Sequence, residues 1–307
     1  MRSKYILVLM VLILLTLVLV GMLSCQPSSS SPKKSIVVTY SILGSIVKEL
    51  VGDKATVSVS VPNGLDPHEW EPSARDIEAI NKADLIVENG LGLEGGMEKT
   101  LQAARDSGVK LFTASDYIGV RHVGPGEGIP SGDPDQVIGA ADPHLWMDPI
   151  AMKSVVEGLA SELLKDLNLD VSSQALDLEN RLDSLNKEVA DTVVAIPQEN
   201  RNLVTGHESM GYFAQRYGFK LVGVIIPSLS TQAEVSAEDL AALKKAIEDN
   251  HVMAIFTELG TSPVVAKAIG DETGIKVVEL TTHVLPGDGS YFTFLRNIAG
   301  VITNALR

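Results

Sequence analysis

The chain is poor in cysteine, in aromatic residues and in positive charge. Its 307 residues contain one cysteine, Cys25, which excludes an internal disulfide and a zinc site built on several thiolates. It carries 25 basic residues against 39 acidic ones, and the net charge of −14 argues against nucleic acid as a partner. Hydrophobic residues make up 45% of the sequence, which is typical of a globular protein. The length suits two domains.

Only one long apolar run is present, at residues 6–23, and Ser24-Cys25 follows it. This arrangement resembles a bacterial lipoprotein signal. We therefore predict a signal peptide over 1–25 and a Ser/Pro-rich tether over 26–34. The alternative is an uncleaved signal anchor, because the run is long for the apolar part of a signal peptide. Both predictions place the remaining chain outside the cytoplasm and attached to the membrane, in the first case through lipidated Cys25.

Strand and helix patterns alternate in two blocks, with a long helical pattern between them. This order predicts an α/β fold of two similar lobes, each a parallel sheet flanked by helices. We predict an N-terminal lobe over 35–168, a linking helix over 169–198 and a C-terminal lobe over 199–307. Apolar residues from Ala175 to Ile196 recur at steps of three and four, which predicts one buried stripe. Ligands of parallel sheets bind beyond the carboxyl ends of the strands, so we expect a site in the cleft between the lobes.

The two tryptophans of the chain lie in matching phrases. Asp66-Pro67-His68-Glu69-Trp70 recurs as Asp142-Pro143-His144-Leu145-Trp146, and a helix is predicted soon after each phrase. His207 likewise lies between a predicted strand and a predicted helix. Each histidine alone is more often a hydrogen-bonded turn residue. Three of them at equivalent junctions predict a metal site, because neutral imidazole is a common zinc ligand.

Three imidazoles leave one position of a tetrahedral site open. Asp288 lies in a turn between the last predicted strand and the last helix, and we expect it to be the fourth ligand. Glu258 directly follows a strand and is the alternative, either as the ligand or as a carboxylate behind the ligands. His122, His251 and His283 are left outside the predicted site. No catalytic residue is predicted.

With these residues in place, the chain resembles the metal-binding lipoproteins of zinc and manganese ABC transporters, the cluster A-I solute-binding proteins. The resemblance rests on the two Asp-Pro-His phrases, on Glu71-Pro72-Ser73, on Met147-Asp148-Pro149, and on Gly206-His207-Glu208 with Gly211-Tyr212-Phe213-Ala214. It implies two α/β lobes joined by one long helix, with a metal held between them. The ligands implied are His68, His144, His207 and Asp288. The resemblance also implies delivery to an ABC permease in the membrane, and we expect a monomer.

The third ligand bears on which metal is bound. Manganese members of this family typically have glutamate where His207 stands. Three imidazoles and one carboxylate suit zinc, so we expect zinc and keep manganese as the alternative. The rival outside transport is a secreted zinc hydrolase, which needs a metal-bound water and a general base. The sequence contains no His-Glu-x-x-His motif. A lipoprotein adhesin with a structural metal is a third, weaker possibility.

Overall fold

The computed structural model describes residues 33–124, 127, 138–232 and 234–307. The predicted signal peptide with Cys25, and nearly all of the predicted tether, lie outside these residues. Among the helices that are described, none combines the length and the apolar character needed to cross a membrane.

The first lobe is a four-stranded parallel sheet with helices on its faces. Its strands are β1 (Lys34–Tyr40), β2 (Ala55–Val61), β3 (Leu85–Glu88) and β4 (Leu111–Thr113). They lie in the order β2-β1-β3-β4. The helices of this part of the chain are α1 (Ser41–Val51), α2 (Ala74–Asn81), α3 (Glu98–Asp106) and α4 (Pro149–Leu167). The alternation predicted from the sequence is thus present, and it forces the strands to run parallel.

The second lobe repeats this topology. Its strands are β5 (Asn202–Thr205), β6 (Lys220–Val224), β7 (Ala254–Thr257) and β8 (Lys276–Glu279). They lie in the order β6-β5-β7-β8, and every neighbouring pair is parallel. The helices are α6 (Gly211–Tyr217), α7 (Ala237–Asp249), α8 (Pro263–Thr273) and α9 (Tyr291–Leu306). The prediction of two similar α/β lobes is confirmed.

Between the two sheets the chain forms its longest helix, α5 (Ser172–Val193). The predicted apolar stripe is buried on one face of this helix, which packs against α1, α4 and α9. It therefore contacts helices from both parts of the chain. Its role as the joint between the lobes stays a prediction, as do the proposed domain boundaries.

Two of the helices begin at capped residues next to the predicted site. Ser73 and Asp76 form a reciprocal capping box at the start of α2. Asp148 accepts a hydrogen bond from the Ile150 backbone N–H, and Pro149 occupies the first position of α4. These caps fix where the loops carrying His68 and His144 end, so both loops are anchored on rigid helices.

Candidate metal centre

The two Asp-Pro-His phrases share one local hydrogen bond that explains their repetition. The Asp66 side chain accepts from the backbone N–H of His68 at 2.9 Å, and Asp142 accepts from that of His144 at 2.9 Å. The intervening proline has a fixed φ and no N–H of its own. Such turns, closed by an aspartate side chain two residues before the donor, set the direction of the histidine that follows.

The other two histidines of the site lie in the second lobe. His207 follows β5, and its backbone carbonyl accepts a hydrogen bond from the Thr205 hydroxyl at 2.7 Å. His283 lies between β8 and α9, and its Nδ1 is 2.9 Å from the Thr282 hydroxyl. These loops and those of the first lobe face one another across the cleft, so each lobe contributes two imidazoles.

Four imidazoles converge at this point: His68, His144, His207 and His283. Each offers a ring nitrogen within 4.8 Å of the others, and all four residues are buried. Nε2 of His144 and Nε2 of His207 are 3.2 Å apart. In a tetrahedral zinc site with bonds of about 2.0–2.1 Å, neighbouring nitrogens are separated by about 3.3–3.4 Å. The spacing of this pair therefore suits two ligands of one tetrahedral metal.

Several of these ring nitrogens are buried without a hydrogen-bond partner. Among the residues that the structure describes, Nε2 of His68 and Nε2 of His283 have no partner, and the atom near Nδ1 of His207 is Glu258 Oε2 at 3.4 Å, outside hydrogen-bond geometry. A buried polar atom without a partner costs about 1–3 kcal/mol, so such atoms are uncommon unless a ligand satisfies them. A divalent metal accepts lone pairs from several nitrogens at once. The donor set thus fits a metal ion.

Burial also keeps three of these imidazoles neutral, those of His68, His207 and His283. Desolvation, aided by nearby His144, lowers the pKa of His68 from 6.5 to about 3. Desolvation and the neighbouring imidazoles lower the pKa values of His207 and His283 well below 6.5. A histidine must be deprotonated to bind a metal, so these three imidazoles are held in their metal-binding protonation state at neutral pH.

Carboxylates behind the imidazoles complete the centre. Asp142 Oδ1 lies 2.9 Å from Nδ1 of His144, and Glu258 Oε2 lies 3.4 Å from Nδ1 of His207. The hydroxyls of Ser209 and Thr282 also donate to Glu258. Burial raises the pKa of Glu258 despite these hydrogen bonds. Carboxylates in such positions orient ligating imidazoles and increase their basicity.

A cavity leads to one of the four histidines. A cavity of about 340 Å³ reaches His68, with Leu91 and Pro143 of the first lobe on one side and Leu229 of the second lobe on the other. Trp146 closes the inner side. Its ring centroid is 5.2 Å from those of His144 and His283, and its Nε1–H donates to the Thr282 carbonyl at 2.9 Å. The repeated phrase around His144 thus also contacts the loop of His283.

The predicted fourth ligand, Asp288, lies outside the cluster of imidazoles. Asp288 is exposed, and its carboxylate accepts from the Ser290 backbone N–H at 3.0 Å and from the Thr293 hydroxyl at 2.7 Å. Those bonds shape the turn before α9 and lower the pKa of Asp288. His283 takes the position expected for Asp288. Glu258, the alternative, lies behind His207 rather than among the four ring nitrogens. The other three predicted residues, His68, His144 and His207, are brought together.

Sequence reasoning left out His283, although one signal was available. It lies between the last strand and the last helix, the same kind of junction that identified the other three histidines. The fourth ligand was instead predicted to come from the turn at Asp288, a few residues further along the chain. His122 and His251, which were also left out, are exposed and lie outside the cluster.

Comparisons with known proteins identify the family of this chain. Residues 36–305 match the family described as "Zinc-uptake complex component A periplasmic" (ZnuA). The manganese-binding lipoprotein MntA of Halalkalibacterium halodurans is 26% identical over 260 residues, covering 83% of this chain and 81% of MntA. The high-affinity zinc uptake system protein ZnuA of Bacillus subtilis is 28% identical over 258 residues, covering 83% of this chain and 80% of that protein.

Solved structures show the same fold. The periplasmic zinc-binding protein TroA from Treponema pallidum superimposes with a TM-score of 0.75 at 26% sequence identity. The match covers 89% of this chain and 99% of TroA. The named relatives divide between zinc and manganese, so the choice of metal has to be argued from the residues of the site.

Proposed function

This chain belongs to the periplasmic zinc-uptake component A family, the substrate-binding proteins of metal ABC transporters, and we propose that zinc is the metal it captures for import. The family consists of solute-binding proteins rather than enzymes. Metal capture requires a closed set of ligands and no reaction at the metal.

One observation carries the choice of zinc: the four converging groups are all imidazoles, from His68, His144, His207 and His283. Zinc is a borderline-soft ion that binds nitrogen ligands in tetrahedral sites. Manganese prefers carboxylate and other oxygen ligands, usually in larger numbers. The nearest carboxylates, Asp142 and Glu258, approach the Nδ1 atoms of two of the imidazoles and not the space between the four rings. The relatives named for manganese keep that metal as the alternative.

The closed ligand set also weighs against a zinc hydrolase. A catalytic zinc site keeps one position open for water beside three protein ligands. Here a fourth imidazole, from His283, is available to fill the position that such a water needs. All four histidines are buried, which suits the retention of an ion during transfer between proteins.

Location and partners follow from the sequence and from the relatives. Several relatives are named lipoproteins, such as the substrate-binding lipoprotein SloC of Streptococcus mutans, which is 27% identical. We infer that this chain is likewise held on the outer side of the cytoplasmic membrane by lipidated Cys25. It delivers its metal there to an ABC permease, and it acts as a monomer.

The test is a direct competition between metals. We expect protein purified without added metal to bind zinc at least about 100-fold more tightly than manganese, because a set of four imidazoles suits zinc. Zinc at a thousandfold over its dissociation constant stabilises the protein by about 4 kcal/mol, which thermal unfolding detects. Calorimetric titration of each metal into chelator-treated protein gives the two affinities.

Two variants separate the site from the rest of the protein. His68→Ala removes a buried imidazole of the cluster, and His122→Ala removes an exposed histidine outside it. Zinc should stabilise the second variant as it does the unmodified protein, and the first far less. Equal or tighter binding of manganese would overturn the choice of zinc. No metal-dependent shift at all would overturn the site.

A further inference from the structure

A buried ion pair lies directly behind His144. Asp142 is fully buried, and its Oδ2 accepts from Nη1 of Arg121 at 2.9 Å. The Arg121 side chain is 6% exposed. The second terminal nitrogen of Arg121 pairs with the carboxylate of Glu127. Glu208 lies nearby, and its burial together with the charge of Asp142 raises its pKa to about 7. The Arg121 guanidinium therefore pairs with two carboxylates, of which Asp142 lies next to His144.

This ion pair determines how Asp142 holds the imidazole. Oδ1 of Asp142 accepts from the backbone N–H of His144 and lies 2.9 Å from its Nδ1. An ionised carboxylate only accepts hydrogen bonds, so Nδ1 must carry the proton. In the neutral ring, the form that binds a metal, the lone pair is then on Nε2, the atom that lies 3.2 Å from Nε2 of His207. Arg121 engages the other carboxylate oxygen and so fixes the rotation of the Asp142 side chain.

In the second lobe, Gly211 lies directly against this ion pair. Helix α6 begins at Gly211, shortly after His207. A Cβ atom at this position would lie 2.2 Å from Asp142 Oδ2 and 2.3 Å from Arg121 Nη1. Both distances are far below van der Waals contact, so any side chain at this position would force the Asp142–Arg121 ion pair or the helix to shift. The backbone N–H of Arg121 also donates to the Tyr212 hydroxyl at 3.0 Å.

We propose that Arg121 and Gly211 are positioning residues of the metal centre, acting through Asp142 on His144. Arg121 holds Asp142 in the rotation that presents Nε2 of His144 to the metal. Gly211 lets the helix that follows His207 dock against that ion pair. The orientation of a ligand in the first lobe is thereby coupled to the docking of the second. This proposal rests on the proposed function, since it concerns the affinity of the same site.

The first experiment is a pair of glycine substitutions. Gly211→Ala introduces a methyl group against Asp142 and Arg121, and we expect zinc affinity to fall by about 10- to 100-fold, as for other changes behind metal ligands. Gly300→Ala is the matched control, because Gly300 lies within α9 and a Cβ there meets no atom within 4 Å. The control should bind zinc as the unmodified protein does. Competition with a chelator of known affinity measures all three proteins.

Two substitutions of Arg121 test the ion pair without adding an atom between the helix and Asp142. Arg121→Lys keeps the charge but loses the planar fork that engages Asp142, and Arg121→Met loses both. We expect zinc affinity to fall in the order unmodified protein, Lys variant, Met variant. Nitrogen-15 spectra of the histidine rings report the effect on His144 itself. Its Nδ1–H form should dominate in the metal-free protein and give way to a mixture of tautomers in Arg121→Met.

The outcomes separate this proposal from the proposed function. Folded Gly211→Ala and Arg121→Lys proteins that bind zinc as tightly as the unmodified protein, with the His144 tautomer unchanged, would overturn it. If Gly211→Ala does not fold, the Arg121→Lys result decides alone. Failure of the unmodified protein to bind zinc would instead overturn the proposed function.

Discussion

At the scale of single residues, His283 defines the character of the metal centre. Its Nδ1 lies against the Thr282 hydroxyl, and that hydroxyl also bonds Glu258. When Thr282 donates to Glu258, Nδ1 of His283 must donate to Thr282, which leaves the lone pair on Nε2. This Nε2 is buried without a partner. Asp288, by contrast, is exposed and already bonded within its own turn. The centre is consequently richer in nitrogen than the family motif implies.

Alanine substitutions at the two positions test this assignment. We expect His283→Ala to weaken zinc binding by at least about 100-fold, since even residues behind the ligands contribute about 10- to 100-fold. Asp288→Ala should change the affinity by less than about twofold, and its effect on stability should be no more than the loss of a turn hydrogen bond, about 1 kcal/mol. Calorimetric titration of zinc into both variants gives the comparison. Loss of binding in Asp288→Ala with binding retained in His283→Ala would restore the ligand set predicted from the motif.

At the scale of elements, the start of α4 is tied to α6 across the cleft. Asp148 caps α4, and its two carboxylate oxygens accept from Nε and Nη2 of Arg216 at 2.9 and 2.6 Å. Helix α4 follows His144 closely, and α6 follows His207 closely. The ion pair thus joins the two helices that position one ligand from each lobe. Paired hydrogen bonds of this kind are stronger than single ones because the geometry of the fork matches the carboxylate.

Removal of Arg216 should therefore destabilise the protein more than removal of an ordinary surface arginine. We expect Arg216→Gln to lower the free energy of unfolding by about 1–2 kcal/mol, because Asp148 is then left buried without its cation. Arg296→Gln is the control. Its ion pair with Glu188 has side chains 48% and 49% exposed, so its loss should cost less than about 1 kcal/mol. Urea unfolding of the metal-free proteins measures both, and equal losses would argue against a special role for the α4–α6 contact.

At the scale of the whole molecule, the buried histidines link stability to pH. The pKa of His68 is about 3 in the folded protein and about 6.5 in the unfolded chain. Between these values the unfolded chain binds the additional proton. Stability is therefore full above pH 6.5 and falls as the pH is lowered toward 3, by about 1.4 kcal/mol per pH unit for one such group. His207 and His283 are shifted in the same direction, whereas burial raises the pKa of Glu94 and Glu208 to about 7 and opposes this trend.

The contribution of His68 is separated from those of the glutamates by comparing the pH dependence of unfolding of the unmodified protein with that of a His68 variant. We expect His68→Gln to unfold with a shallower pH dependence than the unmodified protein between pH 6 and pH 4, by about 1.4 kcal/mol per pH unit. Urea unfolding in the presence of a chelator, at several pH values, provides both curves. Parallel curves for the two proteins would show that His68 is not held neutral by burial.

The sequence by itself determined the two α/β lobes, the long helix α5 and three of the four imidazoles. These features depend on local patterns: strand and helix alternation, the three- and four-residue steps from Ala175 to Val193, and the turn chemistry of Asp-Pro-His. Only the tertiary structure decided the fourth imidazole, because His283 and Asp288 lie in one loop and the direction of that loop is set by contacts such as that of Trp146 with Thr282. The close approach of Gly211 to the Arg121–Asp142 ion pair could not be predicted from the sequence either. It joins residues far apart in the chain, and no local pattern encodes which of them meet when two lobes close on each other.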